Sequence, residues 1–428
     1  MMTIAAWHEK IKNGGADGFF ERVYGPLAFK QKERYLSALE GFKEVFSCDD
    51  NREVALFSAP GRTEIGGNHT DHNHGCVLAA SVNLDVIAVA AKNNGGSIRV
   101  KSQGHDWDII EDCENLAPVE NETGRSASLV RGVAARLREL GYTIGGFDAY
   151  TTSDVLKGSG VSSSAAFEVL LCNIIANLFG DGINPVLAAQ VAQYAENVYF
   201  GKPCGLMDQM ASSVGNIITI DFKDPASPII EQVDFDFASC GHALCIVDTG
   251  GNHADLTDDY AAIRTGMESA AGVFQKPVLR DVAQREFFAN IKAVRQKCGD
   301  RAVLRAMHFY ADNARVGQQV DALKSGNFEA FKKLIIESGQ SSFMYNQNVF
   351  TCKYPEEQGV SLALAVSEQV LRGKGAWRVH GGGFAGTIQA FVPNGLLDEY
   401  KAKIEALLGV GSCHVLAIRP VGGIKIEF

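Results

Sequence analysis

The sequence predicts an α+β protein of two lobes with a ligand cleft between them, divided as residues 1–220 and 221–428. Two observations carry that expectation. Apolar, β-branched runs at 54–57 and 77–91 give way to segments with helical periodicity. Near residue 220 the pattern starts again and ends in a block of alternating helices and strands. At 428 residues the chain holds two or three domains of ordinary size, and 46% hydrophobic against 21% charged residues is a globular balance, not a disordered one.

The first fifty residues read as charged helices, with Phe19, Phe20, Tyr24, Phe29, Tyr35 and Leu36 as packing points, laid over the core as an extension. Strands follow at 54–57 and 77–91, then at 97–102 and 107–110 after the turn Asn93-Asn94-Gly95-Gly96. An amphipathic helix over 128–140 stops at Gly141. Asn184 before Pro185 is an N-cap and first-turn pair that opens a helix to about Phe200. In the second half a strand is expected at 243–247 and several helices between 258 and 338. A closing block then runs helix (357–372), strand (377–380), strand (387–393), helix (396–408), strand (415–419).

A net charge of −10 and the lack of any Lys/Arg run argue against nucleic acid as a partner. The ten cysteines form no CxxC pair and read as reduced thiols. The opening residues lack a signal-peptide layout, and no stretch is long enough to span a bilayer. The expectation is a cytoplasmic protein, a monomer or small homo-oligomer, away from membranes.

Three constellations carry chemistry. In Lys157-Gly158-Ser159-Gly160-Val161-Ser162-Ser163-Ser164-Ala165-Ala166, small residues open directly onto an apolar helix. Free N–H groups and the dipole at such a helix start favour a polyanion, so this segment is expected to bind phosphate. It is not a Walker A loop, because neither Gly201-Lys202 nor Gly373-Lys374 is followed by Ser or Thr. In His380-Gly381-Gly382-Gly383-Phe384-Ala385-Gly386, the glycines formally fit GxGxxG. A strand-like run follows where a dinucleotide site needs a helix, so a glycine turn between strands fits better. The segment from Ala59 to Gly75 is dense in Arg, Asn, His and Asp; it reads equally as a polyol-binding loop or a solvated one. His69, His72 and His74 match no common zinc spacing.

Taken in order, these segments resemble the three motifs of the kinase superfamily named for galactokinase, homoserine kinase, mevalonate kinase and phosphomevalonate kinase. Gly61 to Gly75 is similar to the galactokinase signature GRxNxIGEHxDYxxG, and Pro203-Cys204-Gly205-Leu206-Met207-Asp208-Gln209 to the family's catalytic-aspartate stretch. The resemblance implies the two-lobed fold of that superfamily, a ribosomal-protein-S5-like N-terminal lobe with a ferredoxin-like C-terminal one. It implies ATP and Mg²⁺, and phosphorylation of the anomeric hydroxyl of a hexose, galactose first among candidates. Galacturonate, N-acetylgalactosamine and arabinose, or a non-catalytic sugar and ATP sensor, are the alternatives.

By the same resemblance Asp208 is the catalytic base and Arg62 its arginine. Asn68, His69, Asp71, Gly205 and Tyr260 bind the sugar, although Tyr260 reads equally as an ordinary helix-face tyrosine. Lys157, Gly158, Ser159, Gly160, Val161, Ser162, Ser163 and Ser164 bind the nucleotide, and Ser164 and Glu196 hold the metal. The chain departs from the signature in four places: its Asn is Glu64, its Ile Gly66, its Glu Asn68 and its Tyr His72. The signature's Glu is associated with the sugar's distal hydroxyl, so Asn68 opens the question of which sugar is read.

Overall fold

The computed structural model describes residues 1–155, 160–202, 204–251 and 256–428. In chain order the N-terminal part holds β1 (Met2–Thr3), α1 (Ile4–Lys12), α2 (Asp17–Tyr24), α3 (Ala28–Phe46), β2 (Glu53–Gly66), β3 (Cys76–Lys92), β4 (Ile98–Ser102), β5 (Trp107–Ile110) and α4 (Ser126–Glu139). It continues through β6 (Phe147–Ser153), α5 (Ser163–Phe179), α6 (Pro185–Tyr194), α7 (Met207–Val214), β7 (Ile217–Asp221) and β8 (Ile229–Gln232). Then come β9 (His242–Asp248), α8 (Thr257–Gly272), α9 (Gln284–Ala289), α10 (Ile291–Lys324, broken at Gly299), α11 (Phe328–Ser341) and α12 (Gly359–Leu371). The chain closes with β10 (Ala376–His380), β11 (Thr387–Pro393), α13 (Leu397–Leu408), β12 (Cys413–Leu416) and β13 (Ile424–Lys425).

Among the described residues, nine strands form one sheet along the order β1-β2-β3-β6-β4-β5, with β7 and β8 continuing beyond β3 and β13 pairing with β2. Four more form a second, antiparallel sheet, β10-β11-β9-β12. The first sheet is buried on both faces. Helices α4 to α6 cover one side, and the alternate residues Leu56, Ile87 and Val89 meet Phe20, Tyr35, Leu39 and Phe42 of the N-terminal helices on the other. The second sheet packs on α12 and α13. The expected boundary at 220/221 falls inside β7, and β8 and β13 join the first sheet from beyond it.

Asn184 does cap α6, accepting from the Val186 and Leu187 N–H groups. Three expectations change. The last strand forms at Cys413–Leu416 instead of 415–419, because its register against β9 pairs Cys413 with Val247 and Leu416 with Leu244. Strands β6, β7, β8 and β13 were not expected. And the first half of the polar signature is strand: β2 runs unbroken through Gly66, with irregular register at Pro60/Arg62 and Glu64/Gly66.

Candidate active site

The bulged end of β2 aims Arg62 across the molecule. A Cβ on Gly61 would lie 2.6 Å from the Val161 carbonyl, so glycine there lets two backbones touch, and the Arg62 N–H donates to Val161 O at 3.0 Å. The Arg62 guanidinium grips Asp208 with two bonds, Nε to Oδ1 at 2.6 Å and Nη2 to Oδ2 at 2.7 Å, and also donates to the Gly160 carbonyl. Asp208 sits in the first turn of α7, where a carboxylate suits the helix dipole. Burial would raise its pKa, but the Arg62 charge and the hydrogen bonds from Arg62 and Ser162 outweigh that and hold it below the usual carboxylate range. Its side chain is still 34% exposed, so one face is open to a ligand.

The glycine–serine segment meets the same pair. Gly160 and Ser162 both take left-handed backbone (φ 71 and 60), which turns the chain into α5 at Ser163. Ser162 occupies the N-cap position, but its hydroxyl donates to Asp208 and makes no capping bond. The α5 N–H groups are thereby left without a side-chain cap. Ser164 Oγ lies 3.4 Å from Glu196 Oε1. Glu196 is buried in a π-helical turn (Ala195–Phe200) that extends α6, and Lys202 Nζ approaches it to 3.1 Å. Lys157, Gly158 and Ser159 lie outside the described residues. Beside the start of α5 a cavity of about 380 Å³ is lined by Ser163, Ser164, Phe167, Val86, Leu129 and Val155.

Just before α7 in the chain, Gly205 meets Asp71. A Cβ on Gly205 would come within 2.3 Å of Asp71 Oδ2, so these two expected residues touch. His69 has φ 57, and its Nε2 lies 3.0 Å from the Gly382 carbonyl; burial, then the neighbouring His72, push its pKa down to about 3. Tyr260, in α8, donates to the Gly383 carbonyl at 3.2 Å, and burial raises its pKa to about 12. The glycine turn between β10 and β11 therefore holds both residues. It joins two antiparallel strands, which leaves no dinucleotide fingerprint.

Asn68 lies deeper than the neighbouring His69. It is 0% exposed and its side chain is saturated. Nδ2 donates to Glu64 Oε1 (3.0 Å) and Gly381 O (2.7 Å), and Oδ1 accepts from Asn348 Nδ2 (2.9 Å) and Ser342 Oγ (3.1 Å). Both polar atoms of the Asn68 side chain are thus engaged by protein groups.

Some groups of the site escaped the sequence reading. Gln209 Nε2 bridges Glu196 Oε2 (2.8 Å) and Glu168 Oε2 (3.3 Å). Burial, then Glu196, push the Glu168 carboxyl well up. A lone glutamate in the apolar α5 run was the available signal. His380 accepts from the Glu64 N–H at 3.1 Å through Nε2, so Nδ1 carries the proton and donates to Thr387 Oγ1 at 2.9 Å. Both stand against Gly160: a Cβ there would lie 2.8 Å from Thr387 Oγ1 and 3.3 Å from His380 Nδ1. The second sheet thus buttresses the turn into α5, a contact between parts of the chain too distant for spacing to suggest.

The family model for the GHMP kinase N-terminal domain matches residues 128–216, and the galactokinase galactose-binding signature matches residues 40–92. A galactokinase from Streptomyces coelicolor is 30% identical over 90% of this chain and 97% of its own length. The crystal structure of Lactococcus lactis galactokinase complexed with galactose superposes with a TM-score of 0.78 at 25% identity, covering 92% of this chain and all of that one. Methanococcus jannaschii mevalonate kinase shares the fold at a TM-score of 0.61 and 12% identity, over 86% of this chain and 98% of its own. The fold and the order of its motifs are those of a GHMP kinase, a class of transferases. Within that class the chain belongs to the galactokinase family.

Proposed function

We propose that this chain transfers the γ-phosphoryl group of ATP to the anomeric hydroxyl of galactose, giving galactose 1-phosphate and ADP. One observation carries the reading. The Arg62–Asp208 pair, with one face of the carboxylate open, is bonded to Ser162 at the uncapped start of α5, and Asp208 follows closely in the chain on Gly205, which touches Asp71. Those three places accommodate an acceptor hydroxyl, a polyphosphate and a polyol.

In this reading the α5 N–H groups and the turn at Gly160–Ser164 hold the phosphates. The apolar wall of Phe167, Leu129 and Val86 takes the base. Asp71 accepts from ring hydroxyls, with the Gly205 backbone beside it and His69 and Tyr260 bordering the sugar from the glycine turn. Asp208 accepts a hydrogen bond from the anomeric hydroxyl and takes its proton as the O–P bond forms. With its pKa held low it is a weak base, so orientation and the Arg62 charge contribute more than proton transfer. Ser164 Oγ and Glu196 Oε1 form an oxygen donor pair of the kind Mg²⁺ prefers, and the ion would neutralise charge on the β- and γ-phosphates. Among the described residues no helix is long and apolar enough to cross a membrane.

An ADP-release assay with galactose, galacturonate, N-acetylgalactosamine, arabinose and glucose tests this, with phosphorus NMR to locate the new ester. Galactose should give the highest kcat/KM and an anomeric phosphate. No ADP release above background with galactose would overturn the reading.

A further inference from the structure

Asn68 receives more polar contacts from distant parts of the chain than its neighbours in the signature. Besides the four side-chain bonds, its N–H donates to Asp312 Oδ2 at 2.8 Å and its carbonyl accepts from His308 Nε2 at 2.8 Å. The partners stand on α10 (His308, Asp312), on the π turn after α11 (Ser342), on the loop before α12 (Asn348) and on the glycine turn (Gly381). Only Glu64 belongs to the same sheet. The site residue next in the chain, His69, contacts the neighbouring carbonyl of that glycine turn.

The residue types at 64 and 68 are a matched set. Asn68 uses its amide N–H groups as donors to a carboxylate oxygen and a carbonyl, both acceptors only. A carboxylate at 68 would present acceptors to both and a like charge to Glu64. Glu64, 4% exposed, is paired with the fully buried Arg378, which also donates to the Ile65 carbonyl at 2.9 Å. The galactokinase signature has the amide at the first of these positions and the carboxylate at the second; this chain has them exchanged, and the two side chains are bonded to each other.

We propose that Asn68 is a positioning residue, coupled to Glu64 and Arg378, that ties the sugar-binding turn to the C-terminal lobe and does not itself read the sugar. The exchange of carboxylate and amide between positions 64 and 68 is then one compensated change. The reading of the sugar's distal end passes to the residues that Asn68 holds in place, His69 foremost. This inference rests on the sugar-kinase reading above.

The test is a double-mutant cycle with isosteric changes: Glu64→Gln, Asn68→Asp and both together. Melting temperature, KM for galactose and KM for ATP are measured on each. Asn68→Asp should lower the melting temperature and raise the galactose KM about tenfold or more, with the ATP KM changed less than about twofold. The pair together should recover part of the melting temperature and part of the galactose KM relative to Asn68→Asp, because the amide at 64 again donates to the carboxylate at 68 while the Gly381 carbonyl still faces an acceptor. A double variant no better than Asn68→Asp would overturn the coupling. A higher kcat/KM for galactose in Asn68→Asp at unchanged melting temperature would show that position 68 reads the sugar.

If Asn68→Asp does not fold, Ser342→Ala removes one donor to Asn68. It should raise the galactose KM about two- to fivefold while sparing ATP, and an unchanged galactose KM would overturn the proposal. Melting temperatures report the 64–68 coupling even if galactose proves not to be the substrate, so failure here and failure of the proposed activity are distinguishable.

Discussion

A carboxylate held by both arms of a guanidinium accepts protons poorly, and Asp208 is held in that way while also accepting from Ser162. Its value to phosphoryl transfer therefore lies in being ionised and fixed. Asp208→Asn should lower kcat by about a hundredfold or more with little change in ATP affinity. Single-turnover kinetics and nucleotide titration check this, and a variant retaining more than about a tenth of the parent rate would remove Asp208 from the chemistry. Because the carboxyl is held below its ordinary pKa, kcat should not show an inflection from Asp208 between about pH 6 and 8. The pairing of Arg62 with Asp208 was legible through the family resemblance that the ordered motifs carry. The role of Asn68 was not, because its partners Asp312, Ser342, Asn348 and Gly381 lie hundreds of positions away and no local pattern points to them.

At the scale of elements, the turn into α5 depends on the hairpin of β10 and β11 behind it. Gly160 has φ 71 and no room for a side chain against Thr387 and His380. Gly160→Val should therefore raise the ATP KM by about tenfold or more while the galactose KM moves little, in a chain that still folds. Equal nucleotide affinity in parent and variant, measured by calorimetry, would refute the placement. Long apolar or strongly periodic elements were readable: β3, α5, α6 and β11 formed within a few residues of their expected positions. The polar end of β2 was misread as loop because Arg62, Thr63 and Glu64 do not look like core. Each is buried, and each is satisfied by a partner on another element: Asp208, Gln389 and Arg378. The short strands β7, β8 and β13 escaped because pairing to a neighbour, not their own composition, makes them strands.

Across the whole molecule, the N-terminal helices and the C-terminal segment are tied together at Asp85 of β3. This 0% exposed carboxylate accepts from Tyr24 Oη (2.6 Å), Arg34 Nη1 (2.6 Å), Arg419 Nη1 (2.8 Å) and Ser58. Arg34 also lies 3.3 Å from Asp154, at the approach to the glycine–serine turn. Asp85→Asn leaves the buried Arg419 without its carboxylate and Arg34 with Asp154 alone, and should cost about 3–5 kcal/mol at pH 7. Burial opposes ionisation of Asp85, but Arg34 and Arg419 outweigh it and depress its pKa. The lost stability is thus present above the unfolded value of about 3.9 and disappears as pH falls through the lower folded value. Denaturant melts of parent and variant should converge below about pH 4; a constant gap down to pH 3 would contradict this account. The chain also closes on itself: β1 and β13 both pair with β2, and the Phe428 ring packs 5.4 Å from Trp7 and from Phe19. During synthesis, then, α1 and α2 leave the ribosome long before the ring that covers them, and β2 emerges before its partner Ile424. The first sheet therefore cannot be completed in the order in which it is made, because α1 and α2 lack their cover until residues 424–428 have been synthesised.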